Sequence, residues 1–221
     1  MTLFINKLNH KNYNEKRIHR IMKLLGISSK IRRKRKGYVK SKPQITAENI
    51  LSRDFSAAGP NQKWLTDVTE FKIKNSDKKL YLSAIFDLYD KSIISYVVSR
   101  FNDNKIAFDT FDLAMQLNPT AKPLFHSDRG YQYTSKVFHS KLTKSEMTQS
   151  MSRAGRCIDN GPMEGFWGTL KSEMYYLNNF YCEQDLTAAI SRYVNFYNNE
   201  RFQENLKGMT PVEFRSHASS A

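Results

Sequence analysis

Between Trp64 and Val98, three runs rich in aromatic and β-branched residues follow one another with only short polar stretches between them. Trp64–Ile73, Leu80–Phe86 and Ile93–Val98 read as strands, with turns at Asn75-Ser76-Asp77 and Asp90-Lys91-Ser92. Connections this short leave no room for a crossover, so the three strands form an antiparallel meander. The pattern then changes period. Ile106–Leu117 predicts a helix, with Phe108, Phe111 and Met115 on one face and Pro119 and Pro123 to stop it. Leu124–His126 is a short buried strand, Ser135–Leu142 a helix and Met147–Met151 a strand. Pro162–Leu177 predicts a helix with proline in its first turn, and Asp185–Asn198 a last long helix. A meander followed by alternating helices and strands closes as one α/β layer structure: a mixed five-stranded sheet flanked by helices.

Charge divides the chain differently. The net charge is +14, yet residues 1–53 hold 15 lysines and arginines against two acids, while the rest of the chain holds 20 against 19. An excess confined to one quarter of a chain points to a polyanionic partner, most often nucleic acid, or else to a solubilising arm. Asn14–Leu25 reads as a helix capped by Asn14, with an apolar stripe of Ile18, Ile21, Met22 and Leu25 and a stop at Gly26. Such a helix needs a partner to cover that stripe. The run Lys30-Ile31-Arg32-Arg33-Lys34-Arg35-Lys36 has no apolar period and suits phosphate. The expected organisation is a basic helical arm over 1–36, a linker over 37–59 and a globular core with a helical extension over 60–221. No apolar run approaches the roughly 20 residues of a membrane span, and Met1–Asn6 lacks a signal-peptide layout. A soluble protein inside the cell is expected. Cys157 and Cys182 match no zinc or redox spacing and read as reduced thiols.

Three acids stand out by context. Asp67 interrupts the first strand, Asp128 ends the short buried strand, and Glu164 lies in the first turn of a helix. Each has an ordinary reading: a paired strand acid, a turn aspartate before Arg129-Gly130, and an acid favoured by the helix dipole. Brought together, the three would repel one another, and burial would raise their proton affinity. Hard divalent cations remove that penalty by taking oxygen ligands. Two such ions about 3.5–4 Å apart can clamp a phosphodiester. An all-carboxylate donor set suits Mg²⁺ or Mn²⁺ better than zinc.

Thirty-five residues separate Asp128 from Glu164, and the surrounding words are WLTDVTEF at 64–71, HSDRGYQYTS at 126–135, MSRAGRCIDNGPMEGFWGTLKSE at 151–173 and FYNNERFQENLKGMTPVEFR at 196–215. This resembles the D-D-35-E signature of transposases and retroviral integrases, and the words resemble the second-frame product of IS-three-type insertion sequences. The resemblance runs from about residue 14 almost to the end. It implies a ribonuclease-H-like core, with Asp67, Asp128 and Glu164 as ligands of two Mg²⁺ or Mn²⁺ ions. It also implies cleavage of a phosphodiester at a transposon end, then attack of the freed 3′-hydroxyl on another strand, with no covalent enzyme–DNA intermediate. Implied partners are double-stranded DNA, the first-frame protein or its fusion, and further copies of the chain on DNA. A bacterial cytoplasmic, nucleoid-associated protein is the implied setting. Lys171, seven residues after Glu164 and so on the same helix face, matches the family's basic residue and is expected to contact DNA.

Other residues carry two readings. Arg201 either binds phosphate or forms a surface ion pair, and Arg32, Arg33, Lys34, Arg35 and Lys36 are expected to grip the DNA backbone. Trp64 and Trp167 read as core packing rather than base stacking. His126 either touches the site or is a satisfied buried histidine. Gln203 stands where the family often has histidine. His10 and His19 have no nearby cysteine pair, so the zinc module of retroviral integrases is absent. Two rivals to a transposase stay open: a DNA-binding regulator without catalysis, and a nuclease that uses water in place of a 3′-hydroxyl.

Overall fold

The structure is a computed structural model that describes residues 1–28 and 45–218. The basic run Arg32–Lys36 lies outside the described residues. Strands β1 (Lys63–Lys72), β2 (Lys79–Asp87), β3 (Ile93–Ser99), β4 (Leu124–Ser127) and β5 (Thr148–Met151) form one sheet in the order β3-β2-β1-β4-β5. The expected meander is present: β1 and β2 pair antiparallel from Trp64 opposite Asp87 to Lys72 opposite Lys79, and β2 pairs antiparallel with β3. On its other side β1 runs parallel to β4, which runs parallel to β5.

The period of two along β1 divides the interior into two layers. Leu65 and Phe71 face one side, where α5 (Gly161–Glu173) and α6 (Glu183–Asn199) contribute Met163, Phe166, Trp167, Leu170, Ile190 and Tyr197. Trp64 faces the other, under α3 (Asn104–Leu117) and α4 (Lys136–Lys144), with Phe111, Phe125, Tyr133 and Phe138. Phe138 lies within 5.7 Å of the rings of Phe108, Phe111, Phe125 and Tyr133, an aromatic cluster that fills the space between both helices and the sheet.

Local chemistry explains the boundaries. Asp103 caps α3 by accepting from the Ile106 amide, and Ser135 caps α4 by accepting from the Phe138 amide. The helix expected to reach Leu177 ends at Glu173, and Tyr175–Leu177 is a 3₁₀ turn. Tyr175 turns its ring against Phe71 and bonds its hydroxyl to both backbone groups of Lys72, which pulls the chain off the helix axis. Two helices were not anticipated. α1 (Thr2–Asn9) buries none of its own residues, but its Phe4 meets Phe202. α7 (Pro211–Ala218) opens with a reciprocal cap: the Glu213 amide donates to Thr210 Oγ1 and the Thr210 amide donates to Glu213 Oε2. In α2 (Glu15–Leu24), capped by Asn14 as expected, only Ile18 of the stripe is buried, and Ile21 and Leu25 are exposed.

Residues 45–55, read from the sequence as part of a linker, run beside the sheet. The Met151 amide donates to the Glu48 carbonyl, the Leu51 amide to Ser150 Oγ, and the Ile45 amide to the Thr134 carbonyl. Leu51 joins the core.

Candidate active site

β4 stops at Ser127, whose partner in β1 is Thr66. The next residues on each strand are Asp128 and Asp67. The two acids thus sit side by side where the parallel pairing ends, the position at which open α/β sheets expose ligand-binding groups. Asp67 is on the same face of β1 as Leu65, the face covered by α5, and this brings it to Glu164. Trp167, one turn beyond Glu164, donates its indole N–H to Asp67 Oδ2 at 3.0 Å. The other Asp67 oxygen accepts from the Val68 amide at 2.8 Å. Asp128 Oδ1 accepts from the Gly130 amide at 2.7 Å.

Electrostatics record the convergence. Burial first, and the neighbouring Asp128 second, push the Asp67 carboxyl up to about 8, with Glu164 adding to the rise. Burial likewise raises Asp128. Surface area still reaches both aspartates, and Glu164 is exposed at the rim. The face is therefore open enough for a polymer to lie across it. Among the described residues, no three His, Cys, Asp or Glu side chains close tightly enough to enclose a metal ion. Asp67 is engaged by Trp167 and Val68. The donor set still suits a hard cation: two half-buried carboxylates with raised proton affinity, and a third beside them.

The remaining expected site residues are placed as follows. Lys171 lies on the same side, its ammonium bonded to Thr69 Oγ1 and 5.1 Å from the centre of the Phe71 ring. Arg201 is clamped by Glu173, with Nη2 donating to Oε1 at 2.7 Å and Nε to Oε2 at 2.9 Å and Oε1 at 3.2 Å. The Tyr193 hydroxyl donates to the same carboxylate. His126 is a satisfied buried histidine: its ring nitrogens face Ser150 Oγ at 2.9 Å and Ser152 Oγ at 3.1 Å. Burial lowers its pKa to about 4, so it is neutral. Trp64 packs in the core. Trp167 packs too, but its bond to Asp67 gives it a second role that the sequence reading missed. The signal was available, because Trp167 is three residues after Glu164 and so shares its side of the helix.

Asp159 was also passed over. Its side chain is fully buried and accepts from Asn49 Nδ2, from Arg53 Nε at 2.7 Å, and from the backbone amide, Nε and Nη2 of Arg153. The Arg153 guanidinium holds Asp159 well below the usual carboxylate range, against the opposing effect of burial. This knot fixes the 3₁₀ turn Cys157–Asn160 immediately before α5, and with it the position of Glu164.

Gly130 is small for a reason: a Cβ there would come within 2.9 Å of both Asp128 Oδ1 and Gln132 Oε1. Both obstacles are ends of flexible side chains, so Gly130→Ala is expected to fold normally while displacing the Asp128 carboxylate. Any activity that needs the Asp128 carboxylate in place should fall about a hundredfold, as for other ångström-scale misplacements, with a melting temperature within about 2 °C of wild type. A Gly130→Ala protein with full activity would show that the Asp128 carboxylate is not needed in its present position.

Integrase core domain families match residues 57–157 and 164–218. The chain is 41% identical over 207 residues to InsK of insertion sequence element IS150 from Escherichia coli K12, spanning 93% of this chain and 72% of that one. It is 32% identical to the transposase for insertion sequence element IS904 from Lactococcus lactis, over 93% and 82% of the two chains. It is 31% identical to the transposase InsF for insertion sequence IS3A from Escherichia coli, over 77% and 59%. The chain belongs to the IS3 family of insertion-sequence transposases. The fold of this transposase is that of a retroviral integrase catalytic core, ribonuclease-H-like. The catalytic core domain of HTLV-2 integrase in complex with magnesium aligns with a TM-score of 0.56 at 23% identity, over 72% of this chain and 98% of that one. A simian T-cell lymphotropic virus intasome chain aligns at 0.61 and 17% identity, over 97% and 74%. Integrase-type cores use divalent metal in general. No described helix of the transposase is long and apolar enough to cross a membrane.

Proposed function

We propose that this transposase cuts a phosphodiester at the ends of an insertion sequence and joins the freed 3′-hydroxyl to a second DNA strand, with Asp67, Asp128 and Glu164 holding two Mg²⁺ or Mn²⁺ ions. The observation that carries this reading is the pair of neighbouring carboxylates, Asp67 and Asp128, each raised in proton affinity by burial and with Glu164 beside them. Such a cluster is costly unless cations neutralise it.

The bound cations supply charge neutralisation at the scissile phosphate and make the attacking hydroxyl more acidic. The protein's own groups do the positioning. Trp167 fixes one oxygen of Asp67, leaving the orientation of the carboxylate set by α5, the helix that carries Glu164. Lys171 stands farther along the same face, where its positive charge steadies the backbone of the bound strand. In the first step water attacks phosphorus and the bond to the 3′-oxygen breaks. In the second step that 3′-hydroxyl attacks a new phosphorus, loses its proton, and displaces the 3′-oxygen of the target strand. Each step exchanges one phosphoester bond, so no nucleotide cofactor and no covalent enzyme intermediate is required. The arm of residues 1–36, with Arg32 to Lys36, grips the DNA backbone. The first-frame protein supplies recognition of the ends, and several copies assemble on DNA.

The test is a supercoiled donor carrying the element's ends, incubated with the transposase, the first-frame protein and Mg²⁺. Joined strands are expected, and Glu164→Gln should abolish them. Nicks without joined strands would identify a nuclease. Binding that weakens steeply with salt, with no metal-dependent product, would identify a regulator.

A further inference from the structure

Asn160 lies at the junction of the site and is none of the three acids. It is only 3% exposed, it precedes the first turn of α5, and Glu164 follows it by four residues. Its Nδ2 donates to the carbonyl of Thr66, the residue before Asp67, at 3.1 Å. One side chain thus joins the strand of the first acid to the helix of the third. The other half of the amide is unsatisfied: Oδ1 is buried and has no hydrogen-bond partner. Folding has removed water from this acceptor without supplying a donor, which is rare for a buried polar atom.

Both oxygens of Asp67 are already engaged as acceptors, from Val68 and Trp167, and a phosphodiester oxygen is only an acceptor. A hydrated divalent cation is different. Magnesium keeps several of its waters when held by carboxylates, and those waters are strong donors. We infer that Asn160 Oδ1 would accept a hydrogen bond from a water in the hydration shell of a cation held by the three acids. This rests on the assignment of those acids as cation ligands. An amide suits the position because it accepts without adding a fourth negative charge, and its other end anchors it to Thr66. Asn160 is a positioning residue that acts through the cation's water, as outer-shell groups orient other metal sites.

The experiment measures Mn²⁺ binding to the full chain without DNA, by the loss of the free-ion paramagnetic resonance signal, with a melting curve for each variant. Wild type should bind, and Asp67→Asn should not. Asn160→Ala should bind roughly 10- to 100-fold more weakly. Asn160→Asp lacks the donor to Thr66 but keeps an oxygen, and it should bind within a few-fold of wild type or more tightly. Several results would overturn the inference. Asn160→Ala melting earlier yet binding Mn²⁺ as wild type does would make the residue a structural tie. Asn160→Asp binding as weakly as Asn160→Ala would assign the effect to the Thr66 bond. Equal binding by wild type and Asp67→Asn is a separate failure: it would remove the assignment of the acids themselves, and this inference with it.

Discussion

Asp67→Asn is expected to abolish cleavage and joining while making the metal-free protein more stable. The substitution keeps the shape of the side chain but removes the charge that a cation would bind. Metal-ion catalysis supplies several kcal/mol of charge stabilisation, so a loss of roughly a thousandfold or more is expected. The gain in stability follows from the same carboxyl. Its pKa is raised to about 8 in the folded chain, chiefly by burial. The folded state therefore holds a proton that the unfolded state releases. Below the unfolded carboxylate pKa, this group costs nothing. As pH rises from there towards 8, the protein loses stability through it. Asparagine has no proton to lose. In a chelator at pH 8, Asp67→Asn should melt about 5 °C above wild type or more, and at pH 4 the two should nearly coincide. Added Mg²⁺ should raise the melting temperature of wild type and leave the variant unmoved. Identical responses of both proteins to Mg²⁺ would remove Asp67 from the cation site.

Arg215→Ala should unfold the C-terminal end of the molecule and destabilise the whole. Arg215 reaches from α7 to the far end of β2, where it donates to Asp90 Oδ2 at 2.7 Å and to Asp87 Oδ2 at 3.3 Å. It also donates to Asn61 Oδ1 at 2.7 Å, and that oxygen is shared with the indole N–H of Trp64. Both aspartate side chains are fully buried. Removing the guanidinium leaves two buried acids with Lys91 as the other nearby cation, and breaking a buried ion pair in this way costs roughly 3–5 kcal/mol. For a chain of this size that is a fall of about 10 °C in melting temperature. The pH dependence has a definite sign. Burial, then Asp90, already raises the Asp87 pKa despite Arg215. Without the guanidinium it rises further, so Arg215→Ala should lose more stability at pH 8 than at pH 5. A melting temperature within 2 °C of wild type at pH 8 would mean that solvent reaches the aspartates in the variant. Arg215 holds Asp87, which pairs with Trp64 and not with Asp67, so activity per folded molecule should be preserved.

The legible parts of this molecule are those whose causes are local. The meander from Trp64 to Val98 follows from strand propensity and short turns, and all three strands are within a residue or two of their expected ends. Asp67 was conspicuous because a charge inside an aromatic strand needs compensation. Asp128 and Glu164 were ordinary when taken singly, and became visible through their spacing and the words around them. What escaped notice depends on distant partners. Asp159 looked like one more helix-proximal acid, because Asn49 and Arg53, which help to bury it, lie more than a hundred residues earlier. The end of α5 at Glu173 is set by Tyr175 finding Lys72, again a contact across a hundred residues. α7 was different. Its reciprocal Thr210–Glu213 cap is a local signature, and the word Thr210-Pro211-Val212-Glu213 could have marked it from the sequence.

β5 is the outermost strand on its side of the sheet, and residues 45–55 lie along it, with the Glu48 carbonyl taking up the Met151 amide. A strand with unfilled amides invites pairing with another molecule. This strip of the chain's own backbone acts as a built-in blocker of such pairing. Strand addition at this margin is hindered where the strip covers it. Removing the strip would expose the Met151 amide and leave this margin open to pairing with another strand.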